Sequence, residues 1–579
     1  MKSKFIILTL LFIILATSVS AQESEEYHLK LLAVQENSEG YKGSGADLFL
    51  ELKEGSGRVF LDTYPLTKLD TQISTRFAKQ LACKHFDLNC EKYDFIYTIK
   101  SSSSIIGGPS AGAAIAALTT IAVLDLDYNK DVAITGTINS GGIIGPVGGV
   151  KEKLEAASEI GLEKVFVSIG NSRHGINETE LDLIEYAKNN LSLEVKEVMD
   201  IDEILLYLTG KQLNNKEVSV QENKEYQKIM KSLQELLCDR TDKIEEEIYG
   251  KSIKINQSTL NLSNERKNKI AISLENKDYY SAASFCFSNN ILLKHEYYSS
   301  SNAQPEEIKE LFELLERKVL ALEKKIDVEK ITTISDLQTL IVVKERINDV
   351  KEQVKLFRTN EDINQQYYLL AYAEERFYSA LSWMQFFSME GKRFVVNDAL
   401  LRESCYSKIA EAEERYQYVS LFLSPTIITH IQEKIELSKS SLSEKEYELC
   451  LIKASQAKAE ANAILSSFGV YEDNILDYVE SKKKAVERTI FENSEEGIFP
   501  ILGYSYYQYA DALKEDEQYT ALIYLEYALE MSDLGIYFPE DTFKEIPFEI
   551  KEEWILFIEG IIVGILASFV IILIKRRKQ

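Results

Sequence analysis

Apolar and polar positions follow two regimes along this chain, and the change falls near residue 212. Before it, alternating runs such as Ala46-Asp47-Leu48-Phe49-Leu50-Glu51-Leu52 predict strands, because neighbouring side chains of a strand point to opposite faces. Short apolar runs over 95–100, 132–137 and 164–169 predict three more. Between them the spacing changes to the helical period. Ile73, Phe77, Leu81 and Leu88 mark a helix over 71–88, an alanine-rich stretch marks one over 110–124, and a third covers 151–160. Eighteen of the 26 glycines lie in residues 22–212, so this segment is rich in turns. Strands and helices mixed in this way predict a compact α+β domain.

Residues 210–225 are polar and linker-like, and beyond them helical periodicity takes over with few glycines or prolines. The segment 306–356 is strongly charged and predicts a helical hairpin or a short coiled coil. Tyrosine-rich helices follow over 366–387, 404–423, 446–465 and 517–531. Lys277-Asp278-Tyr279 and Lys445-Glu446-Tyr447 open two of the helices in the same way, which suggests degenerate repeats. The expectation for 213–550 is an all-α bundle or repeat array. Its tyrosines and phenylalanines read as core rather than as a ligand cage.

Two unbroken apolar runs bracket these regions. Lys2 and Lys4 precede the run 5–16, and Val19-Ser20-Ala21 supplies small residues, the pattern of a signal peptide over 1–21. Residues 554–574 carry only one charge, Glu559, over a length that crosses a bilayer. The basic tail 575–579 follows, which places it in the cytoplasm by the positive-inside rule. Both ends therefore predict a single-pass membrane protein whose bulk lies outside the cytoplasm. The net charge of -26 argues against nucleic acid as a partner, and no Lys/Arg-rich run occurs outside the extreme C-terminus. Of six cysteines, Cys83 and Cys90 lie close enough to pair across a helix end, whereas Cys238, Cys286, Cys405 and Cys450 read as free and buried. No His/Cys cluster has metal-ligand spacing, so no metal or cofactor is expected.

The candidate chemistry lies in the first regime. Ser110 stands in Gly108-Pro109-Ser110-Ala111-Gly112, at the entrance to the alanine-rich helix. Pro109 suits a first helical turn, and glycines on either side admit a substrate backbone. Amides at a helix entrance can hold an oxyanion. A serine hydroxyl needs a base, and none of the five histidines stands in a triad-like motif. A neutral lysine can serve if burial lowers its pKa from ~10.4 toward 7–8, at roughly 4 kcal/mol. On the helix over 151–160, Val150, Leu154, Ala157 and Ile160 form an apolar stripe; Lys153 falls inside it and Lys151 off it.

Gly-Pro-Ser-Ala-Gly, then Asp131-Val132-Ala133-Ile134-Thr135-Gly136, then Gly148-Gly149-Val150-Lys151-Glu152-Lys153 together resemble the proteolytic domain of the Lon proteases. The resemblance covers about 22–212 and is best over 107–169. It implies a Ser-Lys dyad of Ser110 and Lys153, 43 residues apart as is usual in that family. It also implies that the Thr135 hydroxyl helps to hold the lysine, and that Gly108, Pro109, Ala111 and Gly112 shape the loop. The chain departs from the pattern in three places. Ile106-Gly107 replaces the family's Lys-Asp, Thr137 replaces an acidic residue, and no Gly-x4-Gly-Lys-Ser/Thr motif accompanies Gly250-Lys251-Ser252.

The nearest resemblance is thus to stand-alone, membrane-anchored Lon-like proteins known mainly from archaea. It implies an ATP-independent serine endopeptidase acting on unfolded or flexible polypeptides, with a ring or other homo-oligomer expected from the family. The competing reading is a catalytically inactive Lon-like scaffold or binding protein of the cell surface; self-cleavage alone is a third.

Overall fold

The computed structural model describes residues 26–37, 40–67, 69–106, 108–174, 181–214, 218–220, 222–387, 389–420, 423–467 and 475–539. The expected signal peptide over 1–21 and membrane helix over 554–574 lie outside these residues. Among the described residues, no helix is long and apolar enough to cross a membrane.

Among the described residues, eleven strands build the first region: β1 (Glu26–Asn37), β2 (Gly40–Glu54), β3 (Val59–Thr67), β4 (Tyr93–Ile106), β5 (Val132–Thr135), β6 (Thr137–Ile138), β7 (Ile144–Gly145), β8 (Lys164–Ser168), β9 (Arg173–His174), β10 (Leu181–Asp182) and β11 (Glu194–Val198). Seven form one sheet in the order β11-β8-β5-β1-β2-β4-β3. β1, β5, β8 and β11 run parallel, whereas β2 is antiparallel to both β1 and β4. The strand period then sorts side chains to two cores. Ile134 and Phe166 face the helices Leu69–His85, Gly112–Leu124 and Ile201–Thr209. Ala133, Val165 and Val167 face the helix Val150–Glu159. Thr135 shares the parity of Ala133, so it points toward that second helix. The sheet is covered on both faces, as parallel strands require.

The helical region begins with Lys224–Gly250 and ends with Gln518–Ser532. The two Lys-x-Tyr signatures mark one recurring turn. Lys277 and Lys445 both adopt positive φ, 57° and 65°. The following amides, of Asp278 and Glu446, each reach back to a carbonyl of the preceding helix at 2.8 Å. That left-handed helix stop, followed at once by a new helix, is a Schellman-type cap.

Over 306–356 the structure resolves the alternative as a hairpin of Pro305–Ile326 and Ile334–Thr359. Phe312 stacks on Phe357 at 4.2 Å and Arg358 pairs with Glu316 at 2.6 Å across it. The cysteine expectation needs correction. Cys83–Cys90 is a disulfide, but so are Cys238–Cys286 and Cys405–Cys450, and no free cysteine remains among the described residues. Each long-range bridge joins the first and third helices of a three-helix unit, namely Lys224–Gly250 to Tyr279–Ser300 and Asp398–Val419 to Tyr447–Ser467. The sequence shows neither pairing because the intervening helix separates the partners by 48 and 45 residues.

Candidate active site

Ser110 lies in a single 3-10 turn, Pro109–Ala111, that delivers the chain from β4 into the helix Gly112–Leu124. Gly108 enters that turn at φ 97°, a conformation that side-chain-bearing residues rarely adopt. The turn is fastened to the end of β5. The Gly136 amide donates to the Ser110 carbonyl at 3.0 Å, and the Ala113 amide donates to the Gly136 carbonyl at 3.1 Å. A side chain at Gly136 would overlap Ile144, so only glycine lets this junction close. The helix beyond is buried from Gly112 to Ala122, and its alanines allow it to lie close against the sheet. Ala111 packs at the edge of that core, Ser110 is half-buried, and Gly107 lies outside the described residues.

The lysine arrives from the other side of β5. Gly149, at φ 66°, starts the helix Val150–Glu159. Val150, Lys153, Leu154, Ala156 and Ala157 form its buried face, while Ile160, expected on the stripe, is 42% exposed beyond the helix end. Lys153 is only 3% exposed, and its Nζ donates to Thr135 Oγ1 at 3.0 Å. No carboxylate pairs with it among the described residues. Burial therefore acts unopposed and lowers its pKa from 10.5 to about 7. Lys151 has the contrary environment. It pairs with Glu155 at 3.3 Å, and that hydrogen-bonded partner raises its pKa. Two residues of helix thus separate a lysine whose pKa is raised from one whose pKa is lowered.

Ser110, Thr135 and Lys153 are thus gathered at the end of β5: Ser110 through its carbonyl on Gly136, Lys153 through its amine on Thr135. No direct hydrogen bond joins Ser110 and Lys153 among the described residues. Two histidines are paired with carboxylates, His28 with Asp47 and His85 with Asp202, each at 2.7 Å. Gly250-Lys251-Ser252 closes the helix Lys224–Gly250 at its C-terminal end, the end that does not favour phosphate.

Sequence reasoning missed the residues that seat the lysine helix. Side chains at Gly43 or Gly45 of β2 would run into the Glu152 carbonyl or Ile160, so these glycines set the distance between helix and sheet. Glycine inside a strand pattern is the signal that such an approach leaves. Asn171 was also missed. Its side chain accepts from the Val147 amide at 2.6 Å and donates to the Val147 carbonyl at 3.0 Å, pinning the approach to Gly148-Gly149.

The helical region also reaches this neighbourhood. Arg415 donates to the Ile138 carbonyl at 3.3 Å and Arg488 to the Gly141 carbonyl at 2.7 Å. Ser140 donates to Glu530 at 3.1 Å, and the Gly141 amide donates to Asp533 at 3.1 Å. The loop between β6 and β7 is therefore held by helices nearly 300 to 400 residues downstream.

A serine at a helix entrance and a buried lysine whose pKa is lowered toward neutrality thus meet the same end of β5. In accord with this, residues 89–209 match the Lon protease (S16) C-terminal proteolytic domain. The chain is 31% identical to the Lon protease of Mycoplasma mobile over 150 residues, covering 26% of this chain and 17% of that protein. It is 40% identical to the Lon protease of Syntrophomonas wolfei subsp. wolfei over 83 residues, 14% of this chain and 10% of that protein. It is 31% identical to the archaeal Lon protease of Methanocaldococcus jannaschii over 127 residues, 22% of this chain and 18% of that protein. The chain spans less than a fifth of the length of each of these curated relatives.

Proposed function

We propose that this chain is an ATP-independent serine endopeptidase that cuts unfolded or flexible polypeptides outside the cytoplasm. Ser110 attacks the peptide carbonyl, forming the tetrahedral intermediate. Lys153, as the neutral amine, accepts the serine proton and returns it to the leaving amine; water then hydrolyses the acyl-enzyme with the same base. Backbone amides at the entrance to Gly112–Leu124 hold the oxyanion. The observation that carries this reading is the Lys153 amine, buried without a counter-ion and directed to Thr135 beside the serine turn. A lysine with only a structural role gains nothing from such a place, which costs it its charge.

Three disulfides support an oxidising, extracytoplasmic compartment. The apolar runs over 5–16 and 554–574 support export and a single membrane anchor, with homo-oligomerisation as the Lon resemblance implies. The competing reading, an inactive scaffold, draws on the lack of a direct Ser110–Lys153 hydrogen bond among the described residues. Cleavage of an unfolded protein by the full chain, without nucleotide, separates the two. Activity lost in both Ser110→Ala and Lys153→Ala supports the peptidase. Activity surviving Lys153→Ala removes the lysine as base, and an inert wild-type chain favours the scaffold.

A further inference from the structure

Seven helices of the helical region leave a cavity of about 380 Å³ between them, in the size range of small-ligand sites. Trp383, Tyr280 and Tyr506 in its wall are buried, while Phe287, Tyr509 and Tyr524 are partly exposed.

The polar groups of the wall are chiefly donors. Arg376 binds Tyr372 and Asp349 through Nε, at 2.8 and 3.0 Å, and lies over the Phe287 and Tyr372 rings, which leaves its terminal nitrogens without a hydrogen-bond partner among the described residues. Arg346 uses Nε on Ser379 at 2.8 Å and Nη1 on Glu345 at 3.2 Å, leaving Nη2. The hydroxyls of Tyr506, Tyr509 and Tyr524 have no hydrogen-bond partner among the described residues. The acceptors are already engaged. Glu345 takes Gln456 at 2.6 Å in addition to Arg346, and Lys453 lies 3.7 Å from Glu345 and 3.9 Å from Asp349. Three cations, Arg346, Arg376 and Lys453, thus face two carboxylates, Glu345 and Asp349. What the cavity lacks is an acceptor carrying one negative charge.

We infer that this cavity binds an organic carboxylate with an apolar or aromatic body. The guanidinium groups offer the planar donors that a carboxylate takes in pairs, and the rings supply walls for the body. The same chemistry is presented by a free aromatic acid and by a polypeptide ending in an apolar residue. The inference does not rest on the peptidase reading, because binding here requires neither Ser110 nor Lys153.

The test is calorimetry on the full-length Ser110→Ala chain, so that no probe is cleaved. The probes are a short alanine peptide ending in phenylalanine, its C-terminal amide, and 3-phenylpropionate. The free-acid peptide or 3-phenylpropionate is expected to bind, with the amide at least tenfold weaker. Arg376→Gln should weaken acid binding at least tenfold. Tyr506→Phe, which keeps the ring and should fold unchanged, should weaken it several-fold. Binding of 3-phenylpropionate as tightly as the peptide identifies a free acid as sufficient; binding of the peptide alone identifies a chain end. Equal binding of acid and amide, no binding of either acid at millimolar concentration, or indifference to both substitutions would overturn the inference.

Discussion

Lys153 has two consequences that can be measured separately. As the proposed base it must be neutral, so kcat/KM should rise with pH through an apparent pKa of about 7 and level off above it. Its effect on stability follows from the same shift. An unfolded lysine holds its proton up to about 10.5, whereas the folded one releases it near 7, so between these values the unfolded chain binds more protons. Stability therefore rises with pH across that window, and below it the buried amine costs the fold roughly 4–5 kcal/mol. Lys153→Met should abolish cleavage yet raise the melting temperature at pH 6–7, with the gain shrinking toward pH 10. A melting temperature lowered at every pH would contradict the burial argument. Thr135→Val removes the oxygen that accepts from the amine. We expect kcat to fall roughly tenfold with KM little changed, and the acid limb to move to lower pH because the ammonium form loses its acceptor.

At the scale of elements, the spacing between the sheet and the lysine helix is set by what β2 omits. A methyl group at Gly43 would meet the Glu152 carbonyl, one residue before Lys153. Gly43→Ala should lift the start of the helix, lower stability by about 1–3 kcal/mol and reduce activity, read by thermal melts and peptide cleavage. The extent to which elements were legible follows the same physics. The helix Val150–Glu159 was legible because burial on one face imposes a 3.6-residue period, and that period alone separated Lys153 from Lys151. The glycines opposite it carry no period, and their role depends on a helix more than 100 residues away. The hairpin over 305–359 shows a related limit. Its charged helical period is equally compatible with a coiled coil, and only the Phe312–Phe357 and Arg358–Glu316 contacts decide the pairing.

Across the whole molecule, the helical region is joined to the β6–β7 loop that follows the candidate site in the chain. Arg488 joins the Gly141 carbonyl at 2.7 Å to Asp202 at 2.6 Å, and it is largely buried. Arg488→Ala leaves both acceptors without it in a dry interface. The expected outcome is a loss of about 3 kcal/mol and a fall in activity, although the residue lies on neither Ser110 nor Lys153. Unchanged melting and cleavage would show that the grip on the β6–β7 loop carries no weight.

Sequence alone made the local parts of this protein legible: the serine in its glycine-lined turn, the lysine on an apolar stripe, and the change from mixed strands and helices to helices alone. These depend on dihedral preference and periodicity within a few residues, so they can be read along the chain. Only the tertiary structure decided the rest. The pKa of Lys153 falls because burial around β5 and its own helix excludes water, and Arg415, Arg488 and Asp533 hold the β6–β7 loop from far downstream. The aromatic rings read as core enclose a donor-lined cavity, and four cysteines read as free are paired. Each of these outcomes comes from groups distant in sequence sharing one dry volume, where desolvation decides charge and pairing and no local pattern records the neighbour.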